Sequence, residues 1–213
     1  MDERISKLLN DLEKRQLNPY YAETGDEACK IILSIIEEER AKKEKCKNDM
    51  LISFGGSQTL KEIGIFDKIS DYNVLDAYKE KPPKEQYEAK RRALLSDVFL
   101  MSANAICENG EIVNIDGNGN RLGAMIYGPD TVIMAIGVNK IVKDKNEAMA
   151  RIKSIACVKN ARRLNRATPC AENGKCESCL IPGNTICCNT VYTRFSVIPN
   201  RIKVIIINES LGF

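Results

Sequence analysis

The chain has 213 residues, 44% of them hydrophobic, and a formal net charge of +3 from 32 basic and 29 acidic side chains. That length supports a sizeable core, and the charge balance excludes the strongly basic face expected of a nucleic-acid or anionic-membrane binder. Histidine is absent, which removes every mechanism that needs imidazole and leaves proton transfer to Asp, Glu, Lys, Tyr, Cys or water.

No apolar run approaches the ~18 residues of a membrane span. The opening Met-Asp-Glu-Arg-Ile-Ser has no apolar signal core, so the expected location is cytoplasmic. Ile5, Leu8, Leu9 and Leu12 recur at helical spacing and predict a helix over 4–17, ended by Asn18-Pro19. Tyr20-Tyr21-Ala22 reads as a short strand. Thr24-Gly-Asp-Glu27 fits a capping box for a helix carrying Ala28, Ile31, Ile32 and Ile35, which decays into a charged, solvated stretch.

Residues 50–54 read as a strand ending in Gly55-Gly56-Ser57-Gln58-Thr59. Two glycines let the backbone turn sharply, and Ser57 and Thr59 can cap the helix that follows, whose free N–H groups suit a phosphate or carboxylate. The loop is neither a Walker A nor a GxGxxG motif. A strand is expected within 72–77, a chain break at Lys81-Pro82-Pro83, a helix over 85–95 and a buried strand over 98–102.

The stretch 103–121 is the most informative. Two apolar runs flank Asn109-Gly110, a strong hairpin signal, and the second run meets Asp116-Gly-Asn-Gly-Asn-Arg121. Six polar or glycine residues make a loop dense in amides, with one carboxylate and one guanidinium, of the kind that builds a ligand site at a strand end. Glu108 and Asp116 are the candidate general bases. The run 131–137 is the clearest buried strand and delivers Asn139 and Lys140 at its end. A long helix is expected over 146–164, and a final strand over 201–207 brings Glu209 toward the same rim.

Residues 168–190 differ in kind. Nine cysteines are many for a reducing compartment, and five lie between 170 and 188. Cys170, Cys176, Cys179 and Cys187 are the candidate ligands of a zinc or iron–sulfur centre, with the two-residue gap between Cys176 and Cys179 the most specific part. Cys187 and Cys188 are alternatives for the fourth position. Without histidine, zinc would need all-cysteine ligation.

Taken together, Gly55-Gly56-Ser57-x-Thr59-Leu60-x-Glu62-x-Gly64, Asn104 through Arg121, Gly137-x-Asn139-Lys140 and Glu209-x-Leu211-Gly212 resemble the LUD-domain, or lactate-utilisation, family over nearly the whole chain. The resemblance implies one domain over 1–213 with the NagB/RpiA/CoA-transferase-like fold, a Rossmann-type α/β sheet with flanking helices. Its parts would be a helical segment to about residue 48, an α/β core over 49–167 and 200–213, and the cysteine-rich insertion. The resemblance also implies a role in lactate or related carbon metabolism, alone or with redox partner proteins. On this reading a small anionic metabolite contacts Gly55, Gly56, Ser57, Thr59, Asn104, Asn114, Gly117, Asn118, Gly119, Asn120, Arg121, Asn139 and Lys140. The alternatives are an isomerase or acyl-transfer enzyme of the wider fold, and a sensor or assembly module with structural zinc.

Overall fold

A computed structural model describes residues 2–79 and 82–213. The chain runs α1 (Glu3–Lys14), β1 (Asn18–Ala22), α2 (Gly25–Lys42), β2 (Leu51–Phe54), α3 (Gln58–Glu62), α4 (Ile65–Lys68), β3 (Asn73–Leu75), α5 (Pro83–Arg92) and β4 (Val98–Met101). It continues through β5 (Ala105–Cys107), β6 (Ile112–Asp116), α6 (Asn120–Tyr127), β7 (Thr131–Gly137), β8 (Ile141–Val142), α7 (Lys145–Arg151), α8 (Cys157–Arg163), α9 (Pro169–Asn173), β9 (Asn189–Thr193) and β10 (Ile202–Ile207).

Six parallel strands form the main sheet in the order β1-β10-β7-β4-β2-β3. The fold is the expected Rossmann-like α/β architecture. The apolar runs 132–136 of β7 and 204–207 of β10 follow from burial on both faces; every residue of both strands is buried, Thr131 and Lys203 included. One face packs against α2, α3 and α4 through Ile32, Ile36, Leu60 and Ile65. The other packs against α1 and α6 through Leu8, Leu12, Leu122 and Met125. Those two layers remove the apolar stripes of the predicted helices from water, at about 25 cal/mol per Å² of apolar surface.

The 103–121 stretch forms the expected hairpin, with Ala105 opposite Val113 and Gly110 at φ +83°, a conformation that favours glycine. The hairpin does not extend the main sheet. It belongs to a second sheet, β8-β5-β6-β9, in which β9 emerges from the end of the cysteine-rich segment and pairs antiparallel with β6. The polar loop expected over 116–121 is shorter than its composition suggests: Gly119, at φ +76°, is the N-cap of α6, which starts at Asn120. The long helix expected over 146–164 is interrupted by a π-helical turn at Ile152–Ala156 between α7 and α8. Lys81 of the expected chain break lies outside the described residues, and Pro83 opens α5, where its missing N–H costs no hydrogen bond. Among the described residues no helix is long and apolar enough to cross a membrane.

In the main sheet β3 lies to one side of β2 and β4 to the other. The chain therefore reverses direction across the sheet between β2 and β4. In open parallel sheets, the crevice at the carboxyl ends of strands flanking such a reversal is the usual ligand position. Those ends carry Gly55-Gly56-Ser57 and Ser102.

Candidate functional site

A cleft of about 660 Å³ opens at that edge. Its floor is Ser102, Ala103, Asn104 and Lys140; one wall is Gly56, Ser57, Tyr78 and Lys90; the opposite wall is α8 and the cysteine-rich segment, from Cys157 and Asn160 to Ile186 and Cys188.

β2 ends in Gly55-Gly56 because the turn runs against another side chain: a Cβ on Gly55 would come within 2.8 Å of Arg121 Cδ. Ser57 caps α3, its Oγ accepting from the Leu60 N–H at 3.2 Å. The cap satisfies one of the helix's first amides. Thr59, one turn on, is fully buried and faces inward.

β7 delivers Lys140, which is 2% exposed. Its Nζ donates to Thr59 Oγ1 at 2.8 Å and to Ser102 Oγ at 2.9 Å. The Leu211–Gly212 backbone closes over this group. Thr59 Oγ1 donates to the Leu211 carbonyl at 3.3 Å, and the Gly212 N–H donates to Glu62 Oε2 at 2.6 Å. Gly212 has φ +64°, and a Cβ there would stand 2.4 Å from Thr59 Oγ1 and 3.2 Å from Lys140 Nζ. The position thus requires glycine both for its conformation and for its close approach to the lysine.

Burial lowers the Lys140 pKa to about 7, with the guanidiniums of Arg151 and then Arg121 pushing the same way against the weaker opposing pull of Glu62. Arg121, on the first turn of α6, is a structural clamp. Its Nη1 donates to the Ser102 carbonyl and Asn114 Oδ1, and its Nη2 to Asn104 Oδ1 and the Ile115 carbonyl, all between 2.7 and 3.0 Å. Arg151 donates to the carbonyls of Asn139 and Asn104. Among the described residues, the one carboxylate within ion-pair distance of these three cations is Asp116, 4.0 Å from Arg121 Nε.

The candidate residues therefore divide. Gly56, Ser57, Asn104, Asp116, Gly117, Asn118, Asn120, Arg121 and Lys140 line the cleft. Asp116, a candidate base, has its oxygens engaged: Oδ1 accepts from the Gly117 N–H, and Oδ2 accepts from the N–H groups of Arg121 and Leu122. It holds the start of α6. Gly55, Thr59 and Gly119 lie just behind the wall. Asn114 is wholly buried and serves Arg121. Asn139 accepts the Leu211 N–H, positioning the Leu211–Gly212 backbone. Glu108, the other candidate base, is outside the cleft, in an ion pair with Arg4 at 2.7 Å. Glu209 turns toward α2, where Oε2 accepts the Gly25 N–H. The structure adds Ser102, Arg151, Tyr78, Lys90, Arg163 and Arg166. Of these, Ser102 left a sequence signal as the polar residue ending a buried strand, and Arg163 and Arg166 left one as part of the basic end of the long helix.

The four candidate cysteines are not grouped as one ligand set, but three of them surround Cys157, whose thiol is pushed up by its contact with Cys187, then by burial, then by the charges of Cys187, Cys176 and Cys170. Cys170 is buried beside Val158 and Ala161, and Cys179 lies by Thr185. Cys176 is exposed, and Cys187 has its Sγ 3.2 Å from that of Cys157. Among the described residues, no three Cys, Asp or Glu side chains are grouped as a metal would need. The segment is nevertheless anchored to the cleft: the Cys188 N–H donates to the Asp116 carbonyl at 3.0 Å, and the Ile186 backbone packs on Gly117.

A profile of the LUD domain matches residues 5–207. The structure is similar to the crystal structure of a DUF162 family protein from Deinococcus radiodurans, with a TM-score of 0.52 and 12% identity, covering 97% of each chain. No curated protein matches the sequence significantly.

Proposed function

Because the chain belongs to the LUD domain family, which is associated with lactate utilisation, we propose that its cleft binds a small anionic metabolite of lactate or related carbon metabolism. Charge carries this reading. Four cationic side chains, Lys90, Arg121, Arg163 and Arg166, line the cleft with the Lys140 amine, against the single carboxylate side chain of Asp116. A concave site lined by one sign of charge concentrates the opposite ion. The cations act on one another across the space: burial and then the Arg166 guanidinium lower the Lys90 pKa, against the pull of Asp116. Calorimetric titration with oxalate, pyruvate, L-lactate and inorganic phosphate tests the reading. Saturable binding of a carboxylate, weakened by Arg163→Glu, supports it; the absence of binding by all four defeats it.

A redox-associated role with partner proteins is the second element of the proposal. Its support is the family and the cysteines of the cleft wall, where Cys157 and Cys188 line the cavity and Cys187 touches Cys157. An iron–sulfur cluster on the cysteine segment would supply electron transfer, and zinc would supply a structural tie. The thiols as arranged form no ligand set, so no step passes through a metal. Iron with acid-labile sulfide in protein purified without oxygen would support this element, and metal-free protein would remove it. Between the enzymatic alternatives, the contact of Lys140 Nζ with Ser102 Oγ favours acyl transfer over isomerisation.

A further inference from the structure

A buried lysine ordinarily faces a carboxylate, because an unpaired ammonium loses its hydration without recompense. Lys140 faces two hydroxyls instead, Thr59 at 2.8 Å and Ser102 at 2.9 Å, with no carboxylate within ion-pair distance among the described residues. The two hydroxyls differ in position. Ser102 and Lys140 line the cleft, whereas Thr59 lies behind them. They also differ in bonding. The Thr59 hydroxyl proton is directed at the Leu211 carbonyl, so Thr59 must accept from the amine. In the neutral amine, that bond leaves the lone pair for the Ser102 O–H at 2.9 Å, whose other acceptor, Thr59 Oγ1, is more distant at 3.4 Å. The Ser102 main chain is itself fixed by Arg121 Nη1 on its carbonyl at 3.0 Å. A nucleophile at a strand end, a base in contact with it and a third group orienting the base form the arrangement that activates a weak hydroxyl, and lysine serves as that base in some serine enzymes.

We propose that Ser102 is an acyl-accepting nucleophile, Lys140 its general base and Thr59 the positioning residue, acting on an anionic ester or thioester. The anionic character of the substrate rests on the reading of the cleft given above. Ser102 Oγ bonds to the acyl carbon as its proton passes to Lys140 Nζ. The tetrahedral adduct then breaks its bond to the leaving group, which takes the proton back from Lys140. Water, losing a proton to Lys140, attacks the Ser102 ester. The C–Oγ bond breaks, the free acid departs and Ser102 regains its proton.

The alternative is that Lys140 merely anchors the Leu211–Gly212 backbone through Thr59. An alkyl fluorophosphonate separates the two, because it modifies an activated serine: the Oγ–P bond forms, the P–F bond breaks, and the proton goes to Lys140. The full chain should give one adduct, mapped by peptide mass to Ser102 and absent in Ser102→Ala. Lys140→Arg keeps the charge but cannot take the proton, and should slow labelling about a hundredfold with the thermal transition retained. Thr59→Val should slow labelling less. No adduct on Ser102 in the unmodified chain overturns the proposal whatever the variants do, and so does labelling of Lys140→Arg at the unmodified rate. Oxalate titrated into Ser102→Ala tests the cleft reading separately: binding without Ser102 labelling sinks only this inference, and labelling without binding sinks only the anion reading.

Discussion

Arg121 Nη1 lies 2.8 Å from Asn114 Oδ1, joining the first turn of α6 to the middle of β6. With its three other hydrogen bonds, this makes the guanidinium a fastener between the two sheets. Arg121→Ala would take a donor from the Ser102 and Ile115 carbonyls and from the wholly buried Asn114 Oδ1, which would keep only the Asn104 N–H at 3.3 Å. Hydrogen bonds from a charged group are worth ~1.5–3 kcal/mol, and an unsatisfied buried acceptor adds its desolvation cost. The expected outcome is a destabilisation of about 3 kcal/mol, read as a lower urea midpoint with an unchanged slope. A midpoint within error of the unmodified protein would show that the guanidinium is dispensable to the fold.

Lys140 should set a pH dependence of stability. Its pKa in the folded protein, about 7, is below the usual lysine value of 10.5. Between those values the unfolded chain holds a proton that the folded chain lacks, so stability rises with pH across that window. Its slope is about 1.4 kcal/mol per pH unit where the difference is complete. Below pH 7 both states are charged and the contribution is flat at its lowest. Chemical denaturation at pH 6.5, 8 and 9.5 should show Lys140→Met losing this rise relative to the unmodified chain. Parallel pH curves for the two proteins would contradict it.

Charge reversal on opposite walls of the cleft should weaken anion binding separately and together. Lys90→Glu and Arg163→Glu change residues that line the cavity without joining the Arg121 clamp. Each should cost on the order of 1 kcal/mol in oxalate affinity at low ionic strength, with the loss shrinking toward 1 M salt as screening takes over. A loss that salt does not alter would point to a structural cause.

The thiols should divide by burial. Cys46, Cys176 and Cys188 are exposed, whereas Cys29 and Cys107 are fully buried. Burial, then the charges of Glu111 and Asp144, push the Cys107 thiol up to about 11, further from the reactive thiolate. Brief iodoacetamide treatment of native protein should modify the first three and spare the last two, as read by peptide mass. Early modification of Cys107 would mean that the second sheet opens readily.

The sequence made much of this arrangement legible where the signal was local. The five-residue apolar run 132–136 of β7 is the clearest buried-strand signal in the chain, and Asn109-Gly110 is a strong tight-turn signal. Long-range relationships were not legible. Thr190-Val-Tyr-Thr193 has strand-forming side chains, but nothing in it says that the strand pairs with β6, and an unbroken helical periodicity conceals the π-helical turn before Cys157. Lys140 stood out as a cation at a strand end, but Thr59, its deepest partner, is 81 residues away. Arg121 and Asp116 were visible as charged loop residues. Their bonds turn them inward to fasten the loop, and only the folded chain shows it.

The place of β10 has a consequence for biosynthesis. Asn18 of β1 pairs with Lys203, and Ile133 of β7 pairs with that same residue from the other side. β10 is thus inserted between two strands that both precede it in the chain, one of them by more than 180 residues and the other by about 70. Until residues 202–207 leave the ribosome, β1 has no neighbour in the sheet, and β7 presents an open, largely apolar edge. Such an edge recruits other chains, and pairing across so long a span is slow. The nascent protein therefore passes through a stage in which its most hydrophobic strand is unprotected, and a chaperone that shields β7 would act before β10 arrives.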